Sequence, residues 1–454
     1  MAVGTSLFDI RKTRAIHPDA PGPSTRNPLY VPPTVHPYRY NLTAAPGIVD
    51  IGGGTMSTVW AYNGVLPGPT FRAFRGDLAK ITLVNGLSQE TITHWHGMIV
   101  DHGNDGQPSQ VIQPGRSYSY SFPVSQRAAM NWYHPHPHML TGEQVSMGLA
   151  GAFIINDNIE QAIGLPSGVY EVPLVVRDAS LDNQGNMQYR AGGGNTPMVN
   201  GTLSPKLDVD TARYRFRVLN GSQNQIFGLE LSDGSLFTLI GNDGGLLESS
   251  VPVAQVDMAP GERVDLLVDF RGKPVGSSLI LRDVFSGWDL LELNLVRTVN
   301  DPGAIPAALS TITRLSDPVR TRDFSFDGMS RINGQEYDIN RIDFQVPFGE
   351  TELWRFRTGG NGPHPVHIHG ASFQVQSRTG GRGQVFPWEQ GWKDTVLLED
   401  GETVEVLIRF DTFAGIYLIH CHRLEHEDMG MMSNFEVLPP AVSGGGGGGR
   451  AFPR

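Results

Sequence analysis

The chain has 454 residues and 14 histidines, and ten of those histidines fall in four short clusters. The first two clusters are His94-Trp95-His96-Gly97 and Trp132-Tyr133-His134-Pro135-His136. The last two are His364-Pro365-Val366-His367-Ile368-His369-Gly370 and His420-Cys421-His422-Arg423-Leu424-Glu425-His426. No histidine lies between 139 and 363, and a random scatter would not empty the middle of the chain while filling four windows. On a strand, residues i and i+2 share a face and i+1 points to the other. His94 and His96 then face one way and Trp95 the other; His420 and His422 share a face and Cys421 points away. Imidazole is the commonest metal ligand and thiolate a soft one, so two faces of one strand can serve two metal centres joined by three consecutive residues.

The Cys421 side finds further ligand candidates in His364, in His426 and in Met431 within His-Glu-Asp-Met-Gly-Met-Met. Two histidines, one cysteine and a weak axial methionine are the ligand set of a blue-copper site. The opposite side gathers paired histidines from four segments, too many for one ion. Zinc wants about four ligands in a structural site, or three and a water in a catalytic one. Eight imidazoles beside a Cys/His/Met set fit copper better. In His-Pro-His-Pro-His the prolines bias the backbone toward polyproline II, so His138 need not share a face with His134 and His136 and is left out of the ligand set. His17, His36 and His102 have no partner pattern.

These clusters need a scaffold, and an internal repeat supplies it. Asn-Gly turns recur at Asn63-Gly64, Asn200-Gly201 and Asn333-Gly334. Near each lies an alternating stretch: FRAFRGDLAKITLVNG, YRFRVLNGS and ETELWRFRTGG. Later in each unit a glycine turn opens another, in PGRSYSYSFPV, PGERVDLLVDF and DGETVEVLIRF. Period-2 alternation bounded by turns predicts antiparallel strands. Gly (55) and Pro (32) are abundant, as an all-β, turn-rich protein requires. At roughly 150 residues per domain the length suits three domains. The expected division is 37–157, 168–300 and 318–438, after an extended segment over 1–36 and before a flexible Gly-rich tail over 439–454.

Lys+Arg is 35 and Asp+Glu 46, a net charge of −11, which argues against a nucleic-acid partner. The single cysteine rules out an intramolecular disulfide, and no apolar run is long enough for a transmembrane helix. The first residues contain no apolar signal-peptide core. A periplasmic or secreted protein whose leader is removed is expected, and a cytoplasmic location stays open.

Together the four motifs HWHG, WYHPHPHMLTGEQVSMGLAG, HPVHIHG and HCHRLEHEDMGMM resemble those of the multicopper oxidases, the group of laccases, bilirubin oxidases and bacterial copper-efflux oxidases. The resemblance runs from about Tyr40 to Val437 and implies an all-β fold of three consecutive cupredoxin-like Greek-key β-barrels. It implies about four copper ions. His364, Cys421, His426 and axial Met431 match the type 1 ligands. His94 and His367 match the type 2 ligands, and His96, His134, His136, His369, His420 and His422 match the type 3 pair. That cluster would lie between the first and third domains, which accounts for the histidine-free second one. Electrons from a small-molecule reductant would enter at type 1 copper and pass through Cys421 to His420 and His422, and O2 would be reduced to water. That reduction consumes protons, and the resemblance places proton-donating acids at Asp105, in GNDGQP, and at Glu427. A monomer without membrane insertion is expected. Copper-efflux members often carry a methionine-rich insert in the third domain, whereas 300–360 holds only Met329. A laccase-like oxidase of phenols and aryl amines is therefore expected ahead of a cuprous oxidase or a bilirubin oxidase. A copper-free binding protein of the same fold would lack several ligands, and none is missing here. A cupredoxin electron carrier or a copper nitrite reductase would lack the paired histidines.

Overall fold

The computed structural model describes residues 26–360 and 362–440. Its strands form six sheets that stack as three consecutive pairs along the chain. Residues 38–156 supply a four-stranded and most of a five-stranded sheet, closed over a core that includes Leu42, Phe71, Trp95, Phe122 and Phe153. Residues 171–297 form an eight-stranded and most of a six-stranded sheet over Leu174, Phe216, Leu239, Leu266 and Leu293. Residues 320–437 form two five-stranded sheets over Phe324, Trp354, Val406, Tyr417 and Phe435. Helix is confined to short pieces such as Thr141–Ser146, Asn158–Ile163 and Leu424–Asp428. Among the described residues no helix is long and apolar enough to cross a membrane.

The repeat seen in the sequence is a repeat of strand pairing. Leu78–Asn85 pairs antiparallel with Ser117–Pro123, Arg213–Asn220 with Arg263–Asp269, and Thr351–Thr358 with Thr403–Arg409. The Asn-Gly turns at 63–64, 200–201 and 333–334 hold both residues at positive φ: 54° and 73°, 49° and 71°, 53° and 76°. Such turns match the right-handed twist of the flanking strands. The purely antiparallel expectation needs correcting. In each unit the first strand of the antiparallel pair also lies parallel to an earlier strand: Tyr38–Asp50, Glu171–Leu181 and Arg320–Asp327 respectively. Alternation reports which face is buried and carries no information on strand direction, so sequence could not separate the two.

Two segments outside the expected domains are also ordered. Asn27–Pro28 adds in parallel to Pro205–Asp210, and Thr34–Val35 to Gly68–Phe74, so the N-terminal segment ties the first two units together. The connector after 156 carries the helix Asn158–Ile163, capped by Asp157, whose side chain accepts from the Glu160 amide. Residues 1–25 and the Gly-rich run of the tail lie outside the described residues.

The second Asn-Gly turn also packs closely against the first unit. A Cβ built on Gly201 would stand 2.4 Å from the Leu66 carbonyl oxygen, whereas one on Gly64 meets nothing within 4 Å. Both have positive φ, so Gly64→Ala carries only the left-handed penalty of about 1 kcal/mol. Gly201→Ala adds a backbone clash and should lose more than about 2 kcal/mol. Thermal melts of the two variants test this, and equal shifts would show that the turn's contact with the first unit is slack.

Candidate metal centre

Strand register brings the four clusters together. In the first unit Thr93–His94 pairs with Ala129–Pro135 so that His94 stands opposite His134. In the third, His364–Ile368 pairs with Gly415–Cys421 so that His367 stands opposite His420 and Val366 opposite Cys421. Residues directly opposite on a ladder share a face. The two ladders meet, and His94 stacks on His369 at 3.8 Å between ring centroids while His96 stacks on His367 at 3.7 Å. Trp95 points the other way into the core of the first unit, and Cys421 into that of the third. The strand at 93–94 is only two residues long, yet the two-faced arrangement holds. Gly97, at φ 85°, ends the first cluster where no larger residue fits, because a Cβ there would lie 2.5 Å from Asn131 Oδ1 and 2.6 Å from Arg263 Nη2. The short helices Thr141–Ser146 and Leu424–Asp428 lock the two units beside the site. Asp428 accepts from the Thr141 and Gly142 amides at 2.9 and 2.8 Å.

The proton positions follow from the partners. Nδ1 of His94 lies 2.7 Å from the Asp105 carbonyl, and Nδ1 of His367 lies 2.8 Å from that of Asp394. A carbonyl only accepts, so both Nδ1 atoms carry the proton and both Nε2 atoms are bare. Those bare Nε2 atoms face each other at 3.4 Å. His369 gives its Nδ1 proton to Asp105 Oδ2 at 2.7 Å, and His420 directs Nδ1 at the Cys421 carbonyl at 3.1 Å. Their Nε2 atoms are 3.1 Å apart, and His136 Nε2 is 3.4 Å from that of His420. His96 donates from Nε2 to Asp394 and to the Thr395 hydroxyl, both at 3.0 Å, leaving Nδ1 buried without a partner. His134 Nε2 and both nitrogens of His422 are likewise buried and unpartnered. Lone pairs facing one another out of water are repulsive unless a cation lies between them.

On the far side of the same strand, Cys421 Sγ lies 3.5 Å from His364 Nδ1 and 3.7 Å from His426 Nδ1, and the two Nδ1 atoms are 3.2 Å apart. Met431 is buried in the same core; its amide donates to the His426 carbonyl and its carbonyl accepts from the Cys421 amide. Soft sulfur with two imidazoles on one face and eight imidazoles on the other fit copper.

Burial keeps the imidazoles neutral, the form that binds metal. It pushes His94, His96, His367, His369 and His422 well below their ordinary value of 6.5, His134 and His426 to about 3, and His136 and His364 to about 4. It raises the Cys421 thiol from 9.0 to about 12. The two acids are driven apart. Burial pushes Asp105 well above the usual carboxylate range, against a hydrogen bond from Gln107. Burial also opposes charge on Glu427, but His136 and His420 outweigh it and hold that carboxyl well below the usual range. Asp105 bonds His369, and Glu427 lies 3.4 Å from His136 Nδ1 and 3.3 Å from His420 Nδ1.

Every histidine of the expected ligand set lies in one of the two groups, and His138 does not. It stacks edge-on against Tyr337 at 5.1 Å. Three residues absent from the sequence reading also support the site. Asp394 and Thr395 hold His96, and Arg263 of the histidine-free unit pairs with both Asp394 oxygens. A lone acid, a threonine and an arginine carry no local spacing signal, because their partners lie more than 100 residues away.

The metal-free chain should be stable over a bounded pH range. A histidine whose folded value is depressed binds fewer protons folded than unfolded, so its stabilisation is full above about 6.5 and is lost as pH falls. The raised Cys421 thiol stabilises below about 9 and stops doing so as pH climbs toward 12. Melting temperatures of copper-free protein should form a plateau between these limits and fall toward pH 4. A melting temperature unchanged from pH 7 to 4 would contradict the buried neutral histidines.

Residues 43–160 and 304–441 each match a family described as multicopper oxidase. Multicopper oxidase mco of Staphylococcus haemolyticus is 34% identical over 411 residues, 88% of either chain. Cell division protein FtsP of Escherichia coli is 32% identical over 444 residues, covering 91% of this chain and 93% of its own. The multi-copper oxidase from Pediococcus acidilactici superposes with a TM-score of 0.88 at 34% identity, over 95% of both chains. Family matches over the two histidine-bearing units and relatives of more than 30% identity along nearly the whole length place this chain among the multicopper oxidases.

Proposed function

We propose that this chain is a laccase-like oxidase that removes single electrons from phenols and aryl amines and delivers four of them, with four protons, to O2 to give two waters. The observation that carries the reading is the set of bare nitrogens facing one another between the first and third units, backed by a thiol on the other face of the same strand. His364, Cys421 and His426, with the Met431 thioether as a weaker donor, would hold one copper. His94 and His367 would hold a second, and His96, His134, His136, His369, His420 and His422 a pair. Copper in these places supplies one-electron acceptance at the cysteine and multi-electron delivery at the histidine group. The remaining roles belong to this chain. His420-Cys421-His422 joins the two sites through three residues. Asp105, whose carboxyl burial pushes well above the usual range, would take up and release a proton beside His369, and Glu427 would take and pass protons beside His136 and His420. The sheet pairs support three functional units over 37–157, 168–300 and 318–438, with the middle one a structural brace.

A copper-free role, raised by kinship to a cell division protein, would leave those lone pairs opposed and buried for no return. Cuprous oxidation is the second reading, favoured by methionines near the cysteine site. Met329 and Met429 are 51% and 45% exposed, and Gly430 packs against the Ser330 carbonyl and the Tyr337 amide. Met139, 67% exposed, follows His138, whose ring packs on Tyr337. Thioethers are soft ligands that suit Cu(I).

Copper-loaded protein should be blue, contain about four coppers per chain and oxidise phenols and aryl amines faster than Cu(I) or bilirubin. Faster turnover with Cu(I) would replace the first reading by the second. Cys421→Ser should lose both the blue band and substrate oxidation, and a variant that stayed blue would sink the assignment of that site.

Asp105→Asn separates proton supply from metal binding. Both donors to Asp105, His369 Nδ1 and Gln107 Nε2, point at Oδ2, so the amide oxygen of asparagine can serve both. Copper content and blue colour should persist while reoxidation by O2 slows by ~10²–10⁴-fold, the usual contribution of general acid–base catalysis. Unchanged reoxidation would remove Asp105 from the proton path.

A further inference from the structure

A cavity of about 220 Å³ lies where the three units meet, and it is lined by Arg75 and Arg127 of the first unit and Arg409 of the third. Most described arginines pair with a carboxylate; these three make no ion pair among the described residues. Arg127 spends one nitrogen, Nη2, on the Leu246 carbonyl and the Ser310 hydroxyl. Arg409 directs Nε and Nη2 at the Thr351 hydroxyl. The Arg75 guanidinium has no partner among the described residues. Burial depresses the Arg127 value, Asp157 opposes that without forming an ion pair, and Arg75 is near enough to add a smaller depression.

The wall between them is built to donate. Asn131 is 2% exposed, lines the cavity, and its Nδ2 is a buried donor without a partner. Ser372 and Thr412 add hydroxyls. Two acids also line the space. Asp243 is already neutralised by Lys393 Nζ at 2.9 Å and by the Arg263 amide at 2.8 Å, which leaves Asp411 as the one acid not held by a cation. Three cationic forks, an orphan amide donor and hydroxyls in a small space form a site for an anion with several acceptor oxygens. In a chain of net charge −11 such a concentration of unpaired positive charge has no general electrostatic cause.

The position gives the site its meaning. A smaller cavity shares Gly97, Ile99, Gly370 and Ala371 with this one and is lined by His94, His367 and His369. We propose that the junction of the three units is a binding site for a small oxyanion, held by Arg75, Arg127, Arg409 and Asn131 at the approach to the histidine group. The site lies apart from Cys421 and binds its anion whether or not copper is loaded.

Titration calorimetry of the full chain with inorganic phosphate tests this, in copper-free and copper-loaded protein, with sodium chloride matching the ionic strength. One phosphate per chain should bind in both forms. Arg75→Gln removes an exposed side chain and should weaken binding at least tenfold, whereas Arg116→Gln, which removes an exposed arginine outside the cavity, should leave it unchanged. Absence of phosphate binding would overturn the proposal. So would equal weakening by Arg116→Gln, which would reduce the effect to net charge, or an unchanged affinity in Arg75→Gln.

Discussion

The structure is organised around an arrangement that repels itself: unprotonated imidazole nitrogens from two units pointed at one another 3.1 to 3.4 Å apart, out of contact with water. Nothing in that contact favours folding, so everything around it must hold it. Six of the eight rings are fixed by their other nitrogen. Carbonyls of Asp105, Pro135, Asp394 and Cys421 take four of those protons, and the carboxylates of Asp105 and Asp394 take two more. Those partners fix tautomer and ring plane together, which is the usual division of labour between a metal ligand and the groups behind it. A cation entering such a site meets donors already aimed, and the repulsion it removes adds to its affinity.

The middle unit supplies charge where the outer two supply histidine. Arg263 is fully buried and pairs with Asp394, which holds His96, while Asp243 and Glu262 take Lys393, the residue before Asp394. Ion pairs this deep add little net stability over apolar packing, but removing one partner leaves an uncompensated charge. Their effect is therefore one of position: the third unit cannot slide against the second without breaking them. The absence of histidine in the second unit and the presence of these charges are two sides of one design, in which one unit braces the other two.

Much of this was legible in the sequence, and the part that was legible is local. The Asn-Gly turns, the alternating strands and the His-X-His pairs are short-range patterns, and each folds as its spacing requires. Cys421 shows why: its neighbours in sequence are two histidines, so the two-faced strand is written in three letters. Strand direction was not legible, since Arg213–Asn220 alternates identically whether its neighbour is parallel or antiparallel. Asp394, Thr395 and Arg263 were not legible either, because each acts on a residue more than 100 positions away and none belongs to a recurring pattern. The two short N-terminal strands escaped notice for a related reason. Asn27–Pro28 and Thr34–Val35 are strands only because Pro205–Asp210 and Gly68–Phe74 offer free edges.

A relative 32% identical over 444 residues is named for cell division, so kinship and fold alone do not decide chemistry. What decides it is which side chains stand on the two faces of one strand. Ile419 and Cys421 point into the core of the third unit, and His420 and His422 out of it. A shift of register by one residue would bury the imidazoles in the core and present the thiol and isoleucine to the other unit. Register is held by Val366 opposite Cys421 and His367 opposite His420 on one side, and by Met432 opposite His420 on the other. The apolar core therefore does more than stabilise the barrel. By refusing the histidines it fixes which way they face, and that direction is the condition for any metal chemistry between the units.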